Sequence, residues 1–164
     1  MKHRTINSIA AIAIIILASC MGKEERTICD YLNSKLTAAA EKVTDVEIIS
    51  QDSVLSIVPI QWTYTDFLRT RNDSILVQLS ECFSDAVNAR NYVLAGTKKP
   101  AELLSKYPHE WRRIVKVSAK GDNGRIRDNI EVIFDNDNIT PMSLGREYDQ
   151  ELSMWDLKIN ALKY

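Results

Sequence analysis

The chain has 164 residues, 45% of them hydrophobic, and a formal net charge of −1. That length and apolar content suit a domain with a real core. Lys and Arg are scattered without a basic tract, which excludes the electrostatic footprint of a nucleic-acid binder and adhesion to anionic lipid by charge alone.

In chain order, Lys2, His3 and Arg4 come first, and an apolar run from Ile9 to Ala18 follows. The segment closes on Leu17-Ala18-Ser19-Cys20. A basic start, a short apolar stretch and small residues at a cleavage point are the parts of a secretory signal. The run falls short of the roughly 20 apolar residues of a membrane span. Its Leu-Ala-Ser-Cys ending resembles the lipobox of bacterial lipoproteins. The resemblance covers this segment alone. It implies cleavage between Ser19 and Cys20, a diacylglyceryl group on the Cys20 thiol and acylation (palmitate-type chains) of the new amino terminus. It also implies a protein attached to the membrane through that lipid. Residue 21 is Met rather than Asp, so inner-membrane retention of the familiar kind is not implied, and the outer membrane is the expected destination. Without residues 1–19, which include Lys2 and Arg4, the charge shifts from −1 to about −3. The expected organisation is a cleaved signal over 1–19, an anchor and short tether over 20–23, and a single globular domain over 24–164.

Lys23-Glu24-Glu25 is similar to the charged surface-export signals of some Gram-negative lipoproteins. It also suits the first turn of a helix, where acidic residues meet the positive end of the dipole. Ile28, Leu32, Leu36, Ala39 and Val43 recur at steps of four and three and predict a helix over 24–43. Residues 45–60 turn β-branched and predict two short strands or one interrupted at Gln51-Asp52-Ser53. Pro59 ends that strand or marks it as an edge. Residues 61–71 show no clear period. Trp62 and Tyr64 alternate there, and Trp62, Tyr64 and Phe67 are the candidate partner surface.

A long helix is predicted from Asp73 to Leu94, ended by Gly96 at the C′ position. A short one runs from Pro100 to Lys106, with Pro at the first turn. Trp111–Lys120 and Ile126–Asp135 form a hairpin around Gly121-Asp122-Asn123-Gly124. Thr140 is read as the cap of a last helix with Pro141 as its first residue. Leu144, Tyr148, Leu152, Trp155, Ile159 and Leu162 supply its apolar stripe.

Little chemistry emerges. His109 is the one histidine left after cleavage, and a metal site needs several convergent ligands. Asp135-x-Asp137 lacks the later ligands of a calcium loop, because Ile139, Thr140 and Arg146 stand where Asp/Asn, Gly and Glu are needed. It reads as turn chemistry. The carboxylate pairs Glu24/Glu25, Glu147/Asp149 and Asp149/Glu151 fall on predicted helix surfaces. No catalytic residue, metal ligand or cofactor is assigned. Cys29 and Cys82 are a candidate disulfide, since two cysteines remain after Cys20 in an oxidising compartment.

The predicted fold class is α+β: helices packed in two layers on an antiparallel sheet. The order of elements is loosely similar to cystatin-like and NTF2-like folds, with no motif behind the similarity. The expected role is a non-enzymatic, outer-membrane-anchored lipoprotein serving as a binding or accessory component of the envelope, with a protein partner there. The alternative is an immunity or inhibitor lipoprotein acting against a toxin or envelope hydrolase.

Overall fold

The computed structural model describes residues 21–35 and 42–163. The lipobox, Cys20, and Leu36 and Ala39 of the first apolar stripe lie outside them. The fold is α+β. Its elements are α1 (Lys23–Lys35), β1 (Val43–Leu55), α2 (Val58–Thr70), α3 (Asp73–Ala95), α4 (Ala101–Lys106), β2 (Trp111–Gly121), β3 (Ile126–Phe134), β4 (Pro141–Leu144) and α5 (Gly145–Ala161). The four strands form one sheet in the order β1-β2-β3-β4, so β1 and β4 are its edges. The described residues group into two compact units, those up to Ile48 with Ser118–Asp128, and Ile49–Val117 with those from Asn129 onward.

In the first unit, Glu24 and Glu25 occupy the first turn of α1, and Ile28, Cys29 and Leu32 are its buried residues. The helix predicted to reach Val43 is corrected, because Val43 opens β1 instead. Asn33 explains the change locally. Its side-chain amide mimics a strand neighbour, accepting from Val43 N at 2.8 Å and donating to Val43 O at 2.9 Å. The hairpin loop closes through Gly121 N to Arg125 O at 2.8 Å and Gly124 N to Gly121 O at 3.0 Å. Gly124 takes the positive φ of 79° that the tight turn requires. Asp122 N donates to Lys42 O at 2.9 Å, which ties the end of β2 to the residue before β1.

In the second unit, β1 continues straight through Gln51-Asp52-Ser53 to Leu55. Ser56 N bonds Glu110 O at 2.7 Å, and Pro59 falls in the first turn of α2 rather than in a strand. The Ser56 hydroxyl accepts from Val58 N at 3.2 Å and so covers one of the open donors at that helix start. Asn72 caps α3 by accepting from Ser74 N at 2.9 Å, and Gly96, at φ 64°, ends the helix as predicted.

The start of the last helix is corrected by four residues. Thr140 and Pro141 do not open it, because Pro141–Leu144 pairs with β3 as an antiparallel edge strand, with Val132 opposite Leu144 and Ile133 opposite Ser143. A missing N–H at Pro141 is tolerated on an edge. Thr140 is occupied elsewhere, since its hydroxyl donates to Asp137 at 2.5 Å. The helix is opened instead by Leu144 N donating to the Glu147 carboxylate at 2.9 Å. The predicted stripe is realised, with Tyr148, Leu152, Trp155 and Ile159 buried along α5. The core of this unit joins Val54, Ile114 and Ile133 of the sheet to residues of α2, α3 and α5.

Candidate binding cavity

Three cations in the second unit are almost wholly buried, and their compensation differs. Arg90 of α3 is 4% exposed. It donates to both oxygens of Glu131, one bond at 3.1 Å and one at 2.5 Å, and to both of Asp149, at 2.8 and 3.0 Å. Burial opposes its charge, but the bonds to Asp149 and Glu131 more than offset this and raise its pKa further. The Lys99 side chain, 4% exposed, donates to Asp52 at 2.5 Å. This ion pair accounts for Asp52 within β1, where the sequence suggested a break.

Arg112 of β2 stands apart. It is 5% exposed, yet among the described residues its polar contacts are long. Its Nη1 donates to Trp111 O at 3.4 Å, and its Nη2 approaches the Glu110 carboxylate at 3.9 Å. Neither lies within the range of a normal N–H···O bond. A guanidinium carries five donors, so most of its hydrogen-bonding capacity is unused by the protein.

Arg112 lines a cavity of about 310 Å³. Val54, Ile133 and Met142 give it an apolar side, and Gln61, Tyr148 and Glu151 contribute polar groups. The Tyr148 hydroxyl donates to Leu55 O at 2.6 Å, and burial raises its pKa well above that of a free phenol. The Glu151 carboxyl is also pushed up by burial, with Lys158 pulling it back in part. The register shift between Ile133 and Phe134 in the β3–β4 pairing leaves Met142 as the extra residue at this wall.

The predicted site residues distribute as follows. Trp62, Tyr64 and Phe67 do not form one surface. Residues 58–70 are helical, so Ile60, Tyr64 and Phe67 turn inward at steps of four and three, and Trp62 turns out. Trp62 is 69% exposed, Phe67 is buried, and Tyr64 packs edge-to-face on Trp155 with ring centroids 5.2 Å apart. Cys29 and Cys82, the candidate disulfide, are both free thiols here. Cys29 is buried and its sulfur donates to Val43 O at 3.4 Å. Cys82 Sγ lies 3.9 Å from Thr63 Oγ1. Cys20 lies outside the described residues. His109 is exposed in the turn before β2. Asp137 is a turn residue that accepts from Ile139 N, Thr140 N and the Thr140 hydroxyl. Among the described residues, no group of three or more His, Cys, Asp or Glu converges on a metal position.

Sequence reasoning missed the buried cations. Two of the three, Arg90 and Arg112, carried a signal. Arg90 falls on the apolar stripe of its helix between Ala86 and Val93, and Arg112 shares a strand face with Ile114 by alternation. A charge on an inward-facing position calls for a partner. Comparison with protein-family models, curated proteins and solved structures finds no match for this chain.

Proposed function

We propose that this chain is a lipid-anchored lipoprotein of the bacterial outer membrane that acts by binding, as a non-catalytic accessory component of the cell envelope. The observation that carries this reading is Leu17-Ala18-Ser19-Cys20 behind a basic start and a short apolar run. No helix of the described residues is long and apolar enough to cross a membrane. Lipid on Cys20 supplies the attachment in this reading. Each buried methylene contributes about 0.8 kcal/mol, and two or more chains anchor stably where one binds marginally. The Arg112 cavity supports the binding role, since it offers a recess with unused hydrogen-bonding capacity.

Detergent-phase partitioning of the full-length protein from a Gram-negative host tests the anchor. The wild-type protein is expected in the detergent phase, and the Cys20→Ala variant in the aqueous phase. Persistence of the variant in detergent would rule out a Cys20 lipid as the anchor.

A further inference from the structure

We propose that the Arg112 cavity binds a small zwitterion of the amino-acid type, with its carboxylate on Arg112 and its ammonium on Glu151. This deepens the binding-protein reading and rests on it. Charge is left unmatched at Arg112 alone of the three buried cations described above. The side chains of Arg90 and Lys99, buried as deeply as that of Arg112, already hold carboxylates at hydrogen-bond distance, so the buried cation beside each of the larger recesses is already satisfied. Among the described residues, Arg112 has the 3.9 Å approach of Glu110 and one long bond to a carbonyl.

Glu151 lines the same cavity, and among the described residues the carboxylate that approaches Arg112 is that of Glu110, not Glu151. The two groups therefore share a recess without pairing across it. A simple anion would satisfy Arg112 while facing Glu151 and, nearby, Asp135, whose carboxylate already accepts from Asn136 N at 2.7 Å. A simple amine would satisfy Glu151 and be repelled by Arg112. One molecule carrying both charges satisfies both walls. Carboxylate recognition by a guanidinium is the strongest pairing available, because two parallel N–H···O bonds fit its fork. A volume of about 310 Å³ is at the small end of ligand pockets and accommodates a molecule the size of one amino acid. The apolar side formed by Val54, Ile133 and Met142 suits a hydrophobic side chain.

Titration calorimetry on the full-length protein in detergent micelles tests this, using the common protein amino acids as probes and then the N-acetyl and carboxamide forms of the best binder. At least one apolar amino acid is expected to bind. Blocking either its amine or its carboxylate should weaken binding at least ~10-fold, the usual order for losing a hydrogen bond to a charged group. Arg112→Gln and Glu151→Gln should each weaken it to a similar degree with unchanged circular dichroism. If Arg112→Gln fails to fold, Glu151→Gln, at a partly exposed helix position, decides the question. Absence of binding by every amino acid at millimolar concentration overturns the proposal. So does a blocked form that binds as tightly as the free one, or an unaltered affinity in Glu151→Gln. Detergent partitioning of Cys20→Ala is read without any ligand, so failure here and failure of the anchored reading are separate results.

Discussion

Arg90 and Arg112 are buried to nearly the same degree, 4% and 5% exposed, in the same unit. Arg90 has four hydrogen bonds to two carboxylates, and Glu131 among them is itself only 12% exposed. Removing the guanidinium would leave that carboxylate buried without its partner, a loss of about 3–5 kcal/mol in comparable buried pairs. Asp149 is 45% exposed and can be rehydrated, which places Arg90→Met near the lower end of that range. Among the described residues, Arg112 makes no bond of normal length that its removal would break. Replacing it with Met keeps the aliphatic packing and removes a poorly compensated buried charge. Chemical denaturation should therefore show Arg90→Met destabilised by about 3 kcal/mol and Arg112→Met by less than about 1 kcal/mol. Equal losses in the two variants would mean that Arg112 is as well satisfied as Arg90, and the basis for a ligand at Arg112 would go with it.

The elements show where local sequence decides structure and where it does not. The hairpin, the long helix α3 with its closing Gly96, and the stripe of α5 were legible because period and turn chemistry agree there. The boundaries that moved were set by side-chain and strand contacts that periodicity and turn chemistry do not show. Val43 joins the sheet through Asn33, Asp52 stays in β1 through Lys99, and Pro141 pairs with β3. Helix α2 was unreadable because its polar side carries Trp62 and its inner side carries Tyr64, so the apolar pattern does not mark a single face. The cavity was hidden for a different reason. Its residues come from β1, α2, β2, β3, β4 and α5, and no window of sequence contains them. Helix α2 offers its own test. Phe67, 6% exposed, should lose about 3–4 kcal/mol as Phe67→Ala, while Trp62→Ala at a 69% exposed position should stay within about 0.5 kcal/mol of wild type. Comparable losses at both positions would contradict the helical facing of 58–70.

At the scale of the whole molecule, the question is how the folded part meets the membrane when Cys20 carries lipid. Only Met21 and Gly22 separate Cys20 from α1, and two extended residues reach at most about 7 Å. Even that short stretch is tied to the helix. Gly22 O accepts from Arg26 N at 3.0 Å, and Arg26 Nη2 reaches Met21 O at 3.4 Å. Lipid on Cys20 would therefore hold the start of α1 close to the headgroups. The first N–H groups of a helix have no intrahelical acceptor and exchange readily in water. Hydrogen exchange should detect the difference. On vesicles, the opening amides of α1 should exchange more slowly in the lipidated protein than in soluble Cys20→Ala, because headgroups crowd that turn and limit its access to water. Equal exchange in the two forms would mean that the helix stands clear of the surface, and the two-residue tether could not then be what connects it to the lipid.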